Sequence, residues 1–273
     1  MLGKLRRAIA SPAPYAHKWL KVATGRKQLP LSWRKRLGDL LPPNRGISRF
    51  RSLYVVTYGR TGSTLLTSYL SHLPGIDLKG ENFMFPLFGF EAEERITKAR
   101  RKSYSGRESK TSPWYGAHQF NPLQWRVDQL DAMLNQLYPQ QLIPKTIGFK
   151  EIRWEREFAF DRFEESLDWL LSLRSPGGAV LLTRDLDQVM NSAWWATMAP
   201  AEQAEARARL AELDQKIGEF AAAHPERAIH ITYESFTSTP AEASRLCTWL
   251  GVAFDERLWR EVLDRRHSYQ PRG

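Results

Sequence analysis

Cysteine is almost missing from this 273-residue chain, where Cys247 stands alone. A single thiol excludes an intrachain disulfide and any multi-cysteine metal site, and it fits a reducing compartment. Cys247 falls in an apolar helical pattern, where a thiol serves as a small core residue. Long hydrophobic runs are missing too. No stretch approaches the roughly 18 apolar residues that a membrane span requires, and the N-terminus has no continuous apolar segment of the secretory kind. The chain is therefore expected to be cytoplasmic; an Arg-rich, acid-poor start is also the composition of organellar transit segments, although those are richer in serine. Acid is scarce in one place. Residues 1–50 hold twelve Lys and Arg against Asp39, so this arm accounts for the net charge of +10 and the rest is close to neutral. The string G-x-x-x-x-G-K-[ST] of nucleotide triphosphatases does not occur, no clear metal-ligand cluster is present, and there is no internal repeat.

The length suits one good-sized core, and the apolar pattern predicts an α/β fold. The clearest stretch is LYVVTYGRTGSTLLTSYL, residues 53–70. Leu53 to Val56 read as a buried strand, and Leu65, Leu66, Tyr69, Leu70 and Leu73 share one helical face before Pro74-Gly75. The turn between them aims backbone amides and the positive end of a helix at one spot. Gly59 and Gly62 let the main chain approach an anion, Arg60 offers a planar cation, and Thr61, Ser63 and Thr64 offer hydroxyls. Such a cradle suits phosphate or sulfate; a tight strand–helix connection with packing glycines has the same outline.

Further strands are predicted at TIGFK (146–150), AVLLT (179–183) and AIHIT (228–232), with helices over about Asp161–Leu173, Asp187–Met198, Ala201–Ala222 and Asp255–Leu263. A helix after Thr239 is marked by a capping box of Thr239 and Glu242, Pro240 at its first position and Gly251 past its end. Strands alternating with helices imply a parallel sheet covered on both faces. Arg184 leaves one strand and Ser192 follows about one turn into the next helix, where the two can face the same crevice and bind a second phosphate, unless Arg184 only pairs with Asp185 or Asp187. Residues 84–145 show little regular period beyond a helix near Asp128–Tyr138, and Glu91–Ser112 is expected to be mobile. The arm, 1–50, mixes basic residues with Trp19 and Trp33. It suits an anionic membrane surface better than nucleic acid, and a merely solvated arm is the plainest alternative.

TYGRTGST resembles the 5′-phosphosulfate loop of sulfotransferases that use 3′-phosphoadenosine 5′-phosphosulfate (PAPS), and its RxGST form is most similar to bacterial carbohydrate sulfotransferases. Arg184 followed by Ser192 resembles the family's 3′-phosphate motif. ITYESFTSTPAEASRLCTWLGV, residues 231–252, is similar to its strand, Tyr-Glu turn and Pro-started helix, which puts Tyr233 near the adenine. The resemblance covers about 53–83 and 146–255 and implies a single P-loop-like domain over 51–273. PAPS would serve as co-substrate without a metal, and a carbohydrate, glycolipid or similar small molecule as acceptor, taken by the 84–145 insertion. It also implies catalytic roles. Arg60 stands where the family often has lysine, Glu81 in Gly-Glu-Asn-Phe becomes the base, with Glu151, His72 and His118 as rivals, and Lys150 neutralises sulfate or holds the base, unless it pairs with Glu151 or Glu155. The family's C-terminal Arg-x-Gly contact has only Arg272-Gly273 to match it, where the chain stops. A nucleotide kinase or hydrolase, or a noncatalytic anion- or membrane-surface-binding protein, would share the loop but leave Arg184 and Ser192 unexplained.

Overall fold

A computed structural model describes residues 48–103, 109–138 and 146–265. All but the last three residues of the basic arm, and the terminal Arg272-Gly273, lie outside the described residues, as do the membrane-surface and nucleic-acid readings of that arm. The described residues within 44–133 and 145–273 belong to one compact unit, which holds the sheet and the candidate site.

Five parallel strands, β1 (Ser52–Val56), β2 (Ile76–Lys79), β3 (Thr146–Glu151), β4 (Gly177–Thr183) and β5 (Ala228–Thr232), lie in the order β2-β3-β1-β4-β5. Every residue of β1, β3 and β4 is buried, as expected of strands covered on both faces. β1 is central, with Leu53 opposite both Gly148 and Gly178. Helix α1 (Ser63–His72) returns the chain to β2, and α2 (Phe85–Lys102) and α3 (Pro122–Leu137) follow before β3. Between β3 and β4 lie α4 (Glu157–Asp161) and α5 (Phe163–Ser172), and between β4 and β5 come α6 (Leu186–Met190) and the long α7 (Pro200–Ala223). After β5 come α8 (Tyr233–Ser238), α9 (Pro240–Leu250) and α10 (Glu256–Leu263).

Alternation along the strands divides the core. Leu53, Val55, Val180, Leu182, Ile229 and Ile231 pack with Leu66, Tyr69 and Leu70 of α1, Leu246, Cys247 and Leu250 of α9, and Trp259 of α10. Cys247 is a buried core residue whose Sγ lies 3.2 Å from the Tyr69 hydroxyl. Burial raises the pKa of that thiol.

The expected strands and most helices are present, with four differences. IDLK forms an extra edge strand, β2. Glu91–Lys102, expected to be mobile, is the second half of α2, while 104–108 lie outside the described residues. The helix expected over Asp187–Met198 stops at Met190, and a 3-10 turn follows at Ala193–Thr197, so Ser192 sits between the two rather than inside a helix. The capping box does not form. Thr239 caps α9 without a side-chain bond, and Glu242 is held instead by Arg245, 2.7 Å away.

Candidate functional site

The strand order reverses at β1, so the crevice beyond its carboxyl end is where a parallel sheet of this kind offers a binding site. The chain there is tightly framed. Thr57 donates to the Leu182 carbonyl (2.6 Å) and its oxygen lies 2.8 Å from the Thr61 hydroxyl, which donates to the Tyr58 carbonyl at 3.1 Å. Thr61 is fully buried, so its hydroxyl supports the loop. Arg60 and Gly62 both take left-handed backbone angles, φ 73° and 80°, and the turn delivers the chain into the first turn of α1. The amides of Ser63 and Thr64 there have no helical acceptor and point along the axis with the positive end of the dipole.

The two loop glycines make room for rings rather than leaving open space. A Cβ on Gly59 would come within 2.4 Å of the Trp194 ring, and one on Gly62 within 2.3 Å of the Tyr233 ring. Trp195 donates its indole N–H to the Gly59 carbonyl at 3.3 Å. These contacts account for the early end of α6: Ala193, at φ 52°, turns the chain so that both tryptophans meet the loop.

Arg60 and Arg184 meet at this edge. Arg184 donates from Nη1 to the Arg60 carbonyl (3.0 Å) and from Nη2 to Gln188 (2.9 Å), and its guanidinium lies 4.4 Å from the centroid of Tyr233. Its Nε makes no hydrogen bond and lies 4.0 Å from a carboxylate oxygen of Glu234, so the acid beside Arg184 is Glu234 rather than Asp185 or Asp187. Arg60 is exposed and donates from Nε to the Ser192 hydroxyl at 2.9 Å. Ser192 thus lies beside Arg60 and joins the two pockets expected around the arginines. Beneath them the Tyr58 hydroxyl accepts from the Arg184 amide (3.3 Å) and lies 3.2 Å from Asp214 Oδ2 on α7. Burial raises the Asp214 pKa from 3.8 to about 6.

On the other side of β1, Lys150 at the end of β3 donates to Glu81 Oε1 (2.8 Å) and to the Thr64 hydroxyl (3.2 Å). Of the partners weighed for Lys150, Glu81 is the observed one, in place of Glu151 or Glu155. The remaining Glu81 oxygen lies 3.3 Å from Arg153 Nη1. Glu151, a rival base by sequence, is 1% exposed and wholly occupied. One oxygen accepts from the amides of Asn82 and Met84, the other from the Ile152 amide and Arg153. His72 sits at the far end of α1, and His118 lies in a 3-10 turn at Ala117–Gln119. Sequence reasoning missed Arg153, Trp194 and Asp214. Arg153 had a signal, since it lies two residues past Glu151 at the strand exit and shares its side of the chain.

Arg60, Ser63, Thr64, Lys150, Glu81, Arg184, Ser192 and Tyr233 thus surround one crevice. It offers three cations, helix amides and hydroxyls to an anion, with a carboxylate beside them. Among the described residues no group of three or more His, Cys, Asp or Glu is arranged to hold a metal, and no helix is long and apolar enough to cross a membrane.

The model of the Sulfotransferase family matches residues 52–256 of this chain. Among solved structures, the sulfotransferase domain from the Synechococcus PCC 7002 olefin synthase is 17% identical, with a TM-score of 0.50 over 80% of this chain and 78% of that one, and it shares the fold. The sulfotransferase domain from the curacin biosynthetic pathway is 18% identical, with a TM-score of 0.44 over 76% of this chain and 75% of that one. Sulfotransferase STF9 from Mycobacterium avium is 12% identical, with a TM-score of 0.41 over 94% and 74%. No curated protein matches the chain.

Proposed function

The chain belongs to the sulfotransferase family, and from that premise we propose that it moves a sulfuryl group from PAPS to a hydroxyl of a carbohydrate, glycolipid or similar small acceptor. The observation that carries this reading is the meeting of Arg60 and Arg184 at the edge of β1, where Arg184 donates to the Arg60 carbonyl and Arg60 donates to Ser192. Two adjacent guanidinium groups suit a ligand with two separated anionic groups, as PAPS has. When bound, PAPS supplies the sulfuryl group and a phosphate able to leave.

The chain's own groups then divide the work. Arg184 and Tyr233 hold the 3′-phosphate end and the base. The amides of Ser63 and Thr64, with Arg60 and Ser192, hold the 5′ end and stabilise negative charge on the bridging oxygen as it departs. Glu81 takes the proton of the acceptor hydroxyl. Lys150 and Arg153 aim that carboxylate, and a carboxylate has about four lone-pair sites, enough to accept one proton beyond these two bonds. Lys150 also contacts Thr64 at the start of α1, so it links the base to the anion cradle.

Titration calorimetry with 3′-phosphoadenosine 5′-phosphate (PAP), with ATP as control, tests the reading. PAP is expected to bind and to lose at least tenfold in affinity in Arg184→Ala, since an arginine–phosphate pair contributes roughly 1.5–3 kcal/mol. Binding of ATP as tight as that of PAP, or no PAP binding, would overturn it.

A further inference from the structure

The turn after β2 holds a strained backbone, in which Met84 is buried and starts α2 while Phe83 points away from the core. Phe83 and Met84 take left-handed backbone angles in succession, φ 57° and 60°, a conformation that disfavours side chains with a Cβ. Glu151, a carboxylate with 1% exposure, pins this turn through the amides of Asn82 and Met84. What the turn presents is an aromatic ring left 72% exposed. The Arg153 guanidinium lies 4.0 Å from the ring centroid, and the same group lies 3.3 Å from Glu81. One guanidinium therefore links the carboxylate to the ring, and the rest of the ring is open to solvent.

We propose that Phe83 is the acceptor platform, on which the apolar face of an acceptor's sugar ring stacks so that one of its hydroxyls reaches Glu81. The proposal rests on the sulfotransferase reading above. An aromatic face set within one guanidinium's width of a base suits a ring whose flat C–H side and whose hydroxyl are a few ångströms apart. Strain held in place by a buried carboxylate is the pattern expected where geometry serves binding rather than stability. Arg153 is a positioning residue here, acting through Glu81 and Phe83.

The test uses the full chain loaded with PAP and the methyl β-glycosides of glucose, galactose and mannose, followed by saturation-transfer NMR. At least one glycoside is expected to bind. Phe83→Ala is expected to weaken it about tenfold, Phe83→Trp to retain it, and both to leave PAP affinity within twofold of the parent chain. Phe83→Gly separates binding from folding. It relieves the left-handed strain, so its thermal midpoint is expected to hold or rise while glycoside binding falls as in Phe83→Ala. If PAP binds but no glycoside does, or if Phe83→Ala binds as well as the parent chain, the platform is overturned. If PAP itself does not bind, the sulfotransferase reading falls instead.

Discussion

Gly62 shows how closely the candidate site is built at the scale of single residues. Its φ of 80° and the Tyr233 ring, 2.3 Å from where a Cβ would be, both reject a side chain. Gly62→Ala is therefore expected to lose roughly 2–4 kcal/mol of stability, the sum of left-handed strain and overpacking, measured by chemical denaturation. Arg60 and Glu81 make the opposite prediction. Both are exposed at the crevice, so their replacement should spare the fold while lowering turnover. Arg60→Ala and Glu81→Gln are each expected to reduce kcat about a hundredfold to a thousandfold, in a radiolabelled sulfate-transfer assay with a glycoside that binds. Glu81→Gln should leave PAP affinity unchanged, because the amide keeps the shape of the side chain. A loss below tenfold at either position would remove its assigned role.

At the scale of elements, β1, β3, β4 and β5 were legible as apolar runs, and α1 as one apolar stripe, because burial on both faces of a parallel sheet writes itself into composition. The misses have physical causes. β2 is four residues with Asp77 and Lys79 facing partly outward, too short and too polar to stand out. In α2 only Pro86, Leu87, Gly89 and Phe90 are buried, so its polar second half carries no period. Gly89 looks like a helix breaker in sequence, yet the space of its absent side chain is filled by Gln129 and Trp169. Of the candidate site, the loop and Arg184 were visible as strings. The Glu81–Lys150–Arg153 cluster joins segments about seventy residues apart, and only the pairing of β2 with β3 brings them together. Caps separate pattern from contact in the same way. Thr239→Ala is expected to change stability by less than about 0.5 kcal/mol, since its side chain makes no cap bond. Asp255→Ala should cost about 1 kcal/mol, because Asp255 accepts from the Leu258 amide at the start of α10. Equal losses in thermal unfolding would contradict the geometry.

For the whole molecule, Asp214 predicts how stability responds to acid. Its folded pKa of about 6 lies above the value near 4 expected in the unfolded chain. The native state therefore binds the proton more tightly, and this contribution is complete below about pH 4 and lost as pH rises through 6. Asp214→Asn, which keeps a partner for Tyr58, should remove that part of the pH dependence of the thermal midpoint between pH 4 and 7. An unchanged profile would show that Asp214 does not titrate as its burial requires.

The strand order has a further consequence. The groups assigned to the nucleotide arise from β1, β4 and β5, whereas Glu81, Phe83 and Arg153 follow β2 and β3 on the opposite flank. Substrate choice can therefore drift under selection without disturbing the grip on the donor, since the two are drafted on separate halves of one scaffold. A chimera that takes residues 76–103 from a relative should inherit that relative's acceptor preference and keep the parental affinity for PAP.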